Sequence, residues 1–233
     1  MSTTSAGASP SGGKTESTSL LSKGGASDGA LDSSGTVDIF SLRRSGYLLQ
    51  YFAVGLIYGA LPATQYGLII SYLNAPAYVA SAVGQLSSFP WSLKIFFALL
   101  SDAVPIGGYR RRPYMVLGWS LATVFLVALA ATPLPEPYYC RHPNGTYITT
   151  RVCNADASKS GMPYAILMML AACGYVLADV AADALTVTYA RREPAAQRGR
   201  TQTTAYLVRE CGMIVAQLLV GFGMNGPEYN GTF

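Results

Sequence analysis

Five runs of about twenty apolar residues divide the chain from residue 43 onward, and they limit its fold more than any other feature. They cover roughly 47 to 70, 78 to 100, 114 to 132, 164 to 187 and 204 to 224. Each is long enough to cross the ~30 Å of hydrocarbon in a bilayer as an α-helix, a form that satisfies its own backbone polar groups where no water can. The expected fold is therefore all-α: a polytopic membrane helix bundle of about five transmembrane helices over residues 43–233. Composition agrees, with 51% hydrophobic and 12% charged residues and a mean hydropathy of +0.30. Residues 1–42 differ. They are mostly Ser, Gly, Thr and Ala, too poor in large apolar groups to offset the entropy of ordering, and read as a disordered cytoplasmic tail.

The net charge of +4 is spread over short patches between the apolar runs. A nucleic-acid partner, which calls for a continuous basic face, is not expected; the lipid bilayer is. Arg43 and Arg44 precede the first run, Arg110, Arg111 and Arg112 lie between the second and third, and Arg191, Arg192, Arg198 and Arg200 lie between the fourth and fifth. Basic residues collect on the cytoplasmic side, so the amino terminus is expected inside and the 133 to 163 loop outside. That loop carries the sequon Asn144-Gly145-Thr146, a glycosylation candidate, and Cys140 with Cys153, an expected disulfide because the loop holds no third cysteine. A second sequon, Asn230-Gly231-Thr232, falls on the same side.

Inside the runs, Gly55, Gly59, Pro62, Gly84, Pro90, Gly174, Gly212 and Gly221 mark close backbone approach or bends. Charges also occur there, where each is costly and needs a partner or a wet cavity. The stretch "ADVAADALTV", residues 178 to 187, holds Asp179 and Asp183 four residues apart on one helical face. Helical rise places Lys94 about 12 Å from the cytoplasmic end of the second helix, Asp183 about 6 Å and Asp179 a further turn inward on the fourth, and Arg209 and Glu210 about 8 Å into the fifth. The expected gate ties Asp102, Asp183 and Arg209 together, with Glu210 competing for the cations. The deeper Asp179 then exchanges a proton or binds the donor edge of a substrate.

Three stretches carry a resemblance: "SDAVPIGGYRRRPYMVLGW" (101 to 119), "ADVAADALTV", and "QTTAYLVRECGMIVAQLLVGF" (202 to 222). Together they resemble the folate-biopterin transporter family, a branch of the major facilitator superfamily, from about Arg43 to the end. The first stretch is similar to the superfamily's signature loop, with Asp102, Gly108, Arg110, Arg111 and Arg112 in corresponding places and Ala98 where glycine usually begins the signature. The resemblance implies a secondary transporter of folates or pterins that works by alternating access between two six-helix halves, with the substrate near the midplane. The chain would then be a fragment or truncated form of the amino-terminal half, or a partial protein whose activity depends on another chain, with the missing carboxy-terminal half as partner in a plasma membrane or organelle envelope. For a flat pterin ring, Tyr58, Trp91 and Tyr175 offer stacking surfaces at mid-depth, Gln85 an amide, and Lys94 a cation for the carboxylates of a folate.

Catalysis finds no support. The single histidine, His142, lies in the outer loop, and no HExxH, phosphate loop or CxxC is present, so no catalytic residue, metal or cofactor is expected. The rival reading is a multi-helix scaffold or receptor-like protein, for which charges inside the membrane would have no use.

Overall fold

The computed structural model describes residues 37–143 and 145–226. Most of the expected tail, up to residue 36, lies outside the described residues, as do both sequon asparagines, Asn144 and Asn230. Helix α1 (Ser45–Gln65) runs on into a π-helical stretch, Tyr66–Tyr72. It is followed by α2 (Ala77–Ser92), α3 (Lys94–Ala103), α4 (Arg112–Ala131), a hairpin of β1 (Tyr139–Arg141) and β2 (Tyr147–Val152), α5 (Met162–Ala190) and α6 (Arg200–Gly223).

The result is an all-α polytopic bundle with a small hairpin at one end. Among the described residues, four helical segments are long and apolar enough to cross a membrane: Ser45–Tyr72, Arg112–Ala131, Ala155–Ala190 and Ala195–Gly223. The remaining expected run, 78 to 100, is helical too, but broken into α2 and α3. Pro90 has no N–H to give the helical ladder. Just beyond it the Leu93 N–H turns back to the Pro90 carbonyl (3.1 Å), and the ladder resumes with Phe97 N–H on Leu93 (3.1 Å).

Helix α5 is the centre. It packs on α1, α2, α3, α4 and α6, while α1 and α6 form a second close pair. Two glycine crossings make those contacts possible. A side chain at Gly55 would run into the Arg209 carbonyl and one at Gly212 into the Phe52 carbonyl, so α1 and α6 meet backbone to backbone. A β-carbon at Gly118 would lie 2.7 Å from both the Gly174 carbonyl oxygen and the Ala178 nitrogen, so α4 sits equally close on α5. Lipid tails are as apolar as leucine, so dispersion across such close contacts replaces the hydrophobic drive of a water-soluble core.

Each end of the bundle is tied by its own polar contacts. At one, Cys140 and Cys153 are bonded across the hairpin with α-carbons 4.9 Å apart, while the hydroxyls of Tyr72 and Tyr164 donate to the Pro135 and Pro133 carbonyls (2.8 Å each). The arginine-bearing turns lie at the other. There the Glu193 carboxylate accepts hydrogen bonds from the N–H groups of Gly199 (2.7 Å) and Thr201 and so caps the first turn of α6. Gly199 itself takes a left-handed φ of 93°, open to glycine without strain.

Two stability predictions follow from this packing. Gly212→Val should destabilise the protein by about 1–3 kcal/mol, the usual cost of overpacking, whereas Gly46→Ala, with nothing within 4 Å, should leave the melting temperature in detergent nearly unchanged. For Glu193, burial opposes the charged form, but the Thr201 hydroxyl and the N–H groups of Thr201, Gly199 and Arg200 outweigh it and hold the carboxyl below the usual range. A lowered folded-state value means that the cap contributes fully above the ordinary carboxylate value of 4.5 and is lost as pH falls through the depressed one. Glu193→Gln should therefore cost about 1 kcal/mol at neutral pH, and the gap from wild type should close as thermal unfolding is followed into that acidic window.

Candidate functional site

The site begins with the position of α5, whose central place buries one face almost completely. Asp179, with a side-chain exposure of 0%, lies on that face, and Asp183, at 26%, lies a turn nearer the arginine end. Lys94 is the first residue of α3, just past the break, and reaches both. Its Nζ is 2.8 Å from Asp179 Oδ2 and 2.6 Å from Asp183 Oδ2. One ammonium is thus shared by two carboxylates that would otherwise face each other unscreened. Desolvating these charges is expensive, and the arrangement persists only because the pairing geometry is close and further hydrogen bonds complete it.

Those further bonds come from α1. The Tyr51 hydroxyl donates to Asp183 Oδ1 (2.8 Å) and lies 2.6 Å from Thr186 Oγ1, which in turn is 2.8 Å from the Tyr47 hydroxyl. Asp179 is less well provided. Its Oδ1 is buried with no hydrogen-bond partner, as is Ser87 Oγ.

On the other side of Lys94 its ammonium sits 5.0 Å over the Trp91 ring, a cation–π contact. Trp91 Nε1 donates to the Tyr175 hydroxyl (3.0 Å), and Tyr58 meets the Trp91 ring edge-on at 5.1 Å. These three aromatics, with Gln65, Ser87 and Ser88, line a cavity of about 240 Å³. The arrangement can hold a flat ring against aromatic edges beside a buried charge cluster. Among the described residues, no three His, Cys, Asp or Glu cluster as metal ligands would.

Several expected site residues stand elsewhere. Gln85 does not line the cavity: it lies on the exposed side of α2, and Gln65 from α1 and Ser87 occupy the place expected for it. The expected tie of Asp102, Asp183 and Arg209 is replaced by Lys94. Arg209 is held with its backbone against Gly55, its guanidinium 4.7 Å over Tyr206 and paired with Glu210 at 3.2 Å. It interacts with Asp179 only through space. Asp102 is exposed in the last turn of α3, beside a second cavity lined by Arg110, Arg111, Arg112 and Tyr189. Of these arginines, Arg111 donates to the Thr188 hydroxyl of α5.

Sequence reasoning missed Tyr47, Tyr51 and Thr186. The signal was present, since Tyr47, Tyr51 and Tyr58 fall at helical spacing on one stripe of α1, and Thr186 continues the stripe of Asp179 and Asp183.

A multi-pass integral membrane protein with a charged triad in its centre and an aromatic cavity beside it is the class that fold and site define. The BT1 family model matches residues 53–138. Over 185 residues the chain is 27% identical to the "Probable folate-biopterin transporter 4" of Arabidopsis thaliana, covering 79% of this chain and 33% of that protein. Over 171 residues it is 26% identical to the "Folate-biopterin transporter" of Synechocystis sp., covering 73% and 29%. A shorter match of 40 residues, 48% identical, links it to "Folate transporter 1" of Plasmodium falciparum, covering 17% and 8%. No solved structure matches it significantly. These matches make the chain similar to folate-biopterin transporters. It spans about a third of the length of the first two relatives.

The triad yields a direct test. Lys94→Met leaves the buried Asp179 and the half-buried Asp183 without their cation and should cost about 3–5 kcal/mol, read as a drop in melting temperature of the detergent-solubilised full-length protein. Adding Asp179→Asn to Lys94→Met should restore part of that loss, because one orphaned charge is removed.

Proposed function

We propose that this chain forms part of a secondary transporter of folates or pterins that works by alternating access and is coupled to protons. The observation that carries the reading is the Lys94–Asp179–Asp183 triad set against the cavity of Tyr58, Trp91 and Tyr175. A structural anchor has no need of three ionisable groups in its apolar centre, whereas transporters place such groups on ion and substrate pathways. Names of the relatives support the substrate class.

In this reading the pterin ring enters the cavity, stacks on Trp91 and Tyr175, and offers its polar edge to Gln65 and Ser87. The cavity is smaller than the ~300–1,000 Å³ of whole-ligand pockets, which suits a bicyclic ring; the rest of a folate extends past it, with its carboxylates drawn toward Lys94. A second, carboxy-terminal half closes the other side of the pathway. Lys94 is the moving partner: it holds both aspartates in the resting state, and release of Asp179 lets that residue take up a proton while Asp183 keeps α3 docked on α5 as the gate. Arg209, Glu210 and Asp102 flank this gate, and Arg110 to Arg112 meet lipid phosphates at the cytoplasmic face, which fixes the topology with the amino terminus inside.

Uptake of labelled folic acid and biopterin into proteoliposomes that hold the full-length protein tests the proposal. Wild type should accumulate at least one of them faster at acidic external pH. Asp179→Asn should reach the membrane in normal amount and show uptake whose pH dependence is flat. Wild-type rate and wild-type pH dependence in that variant would overturn the coupling role.

A further inference from the structure

The hydroxyls that reach the triad from α1 are ordered, and the order can be worked out from proton count alone. A carboxylate only accepts, so Tyr51 must spend its single proton on Asp183 Oδ1 (2.8 Å). Its 2.6 Å contact with Thr186 Oγ1 is then a bond donated by Thr186, and the 2.8 Å contact between Thr186 and Tyr47 is donated by Tyr47. Every proton in the row points toward Asp183. The row is also largely shielded: Tyr51 is fully buried, and Thr186 and Tyr47 are 5% and 6% exposed. It begins at the third residue of α1, at the end of the bundle that carries the arginine turns, and ends on the triad.

We infer that Tyr47, Thr186 and Tyr51 form a proton file that connects the arginine end of the bundle with Asp183 and, through the shared Lys94, with Asp179. In one passage Tyr47 takes a proton from solvent at that end as its own passes to Thr186 Oγ1, that of Thr186 passes to Tyr51, and that of Tyr51 passes to Asp183 Oδ1. Each hydroxyl gains one proton and loses one, so the net change is a single proton added to Asp183. Run in reverse, the file discharges Asp183 to the same side. Thr186 is the point of reset, because its hydroxyl also lies 3.1 Å from the Ala182 carbonyl; turned to that acceptor it interrupts the row.

Other groups around Asp183 are accounted for. Lys94 of α3 and Asp179 of its own helix form the triad, α6 brings Tyr206, Arg209 and Glu210, and Arg191 and Arg198 line the cavity of about 400 Å³ into which Asp183 and Thr186 open. Tyr47 is backed by the Tyr189 ring at 5.4 Å. None of these donates to Asp183 Oδ1 in place of Tyr51.

This inference rests on the proton-coupled reading above, and the experiment separates the two. Full-length protein in proteoliposomes is assayed for folic acid uptake, for the accompanying proton movement with a trapped pH dye, and for exchange of labelled against unlabelled folic acid at equal concentration, which moves no net proton. Tyr51→Phe and Thr186→Val should lower net uptake and proton movement together by at least about tenfold, with exchange at the wild-type rate. Thr186→Ser, which keeps the hydroxyl, should behave as wild type in all three. Wild-type net uptake in Tyr51→Phe and Thr186→Val would overturn the file and leave proton coupling standing, as would a matching loss of exchange, which marks a purely structural role. If wild-type uptake moves no protons at all, the coupled reading itself falls and takes the file with it.

Discussion

Two carboxylates one helical turn apart inside a bilayer are tolerable only when a cation is held between them, and much of the architecture around α5 serves that condition. Lys94 can reach both because α3 starts where α2 stops, so the ammonium enters from a fresh helical start rather than from the flank of a continuous helix. Tyr51 occupies the second oxygen of Asp183 from the opposite side, and it can do so because α1 packs beside α5 at the level of Thr186. The pair of glycine crossings sets these distances. With larger residues at Gly118 and Gly174 or at Gly55 and Gly212, the helices would stand farther apart and the polar groups would no longer meet.

The two aspartates are chemically unlike despite their adjacency. Asp183 has a donor on each oxygen and an opening toward the arginine end, while Asp179 has one partner, a bare Oδ1 and no exposure. A repeat of the same residue four positions later thus yields two different sites. The difference arises from Tyr51 on α1 and from the opening between α5 and α6 beside Asp183.

Helices and their bundle were legible because apolar length is a one-dimensional property, and the two aspartates stood out because nothing else in their run is charged. The pairing of cysteines needed only the loop they share. Partner choice was less legible. Arg209 and Lys94 are both cations at suitable depth on helices that touch α5, and depth along the axis says nothing about which way round the helix a side chain projects relative to a third helix. Arg209 instead lies over Tyr206, three residues earlier on its own helix, while its backbone sits against Gly55 of α1. Gln85 failed for a similar reason: its place on α2 turns it to the exposed side, and Gln65 of α1 lines the cavity instead. The interruption at Leu93 was half visible, since Pro90 announced a bend without saying that the helix would restart as a separate piece.

That restart gives α3 the mechanics of a lever. Its ten residues make an arm about 15 Å long, with Lys94 at the root beside Leu93 and Asp102 near the far end, which the Tyr114 hydroxyl of α4 holds through the Leu100 and Val104 carbonyls (3.3 and 2.8 Å). Rotation about the root by some 10° moves the far end by about 2.5 Å but displaces the ammonium by only a small fraction of that. Movement of α4 is therefore passed to the far end of α3 through Tyr114 and geared down before it reaches the charged centre.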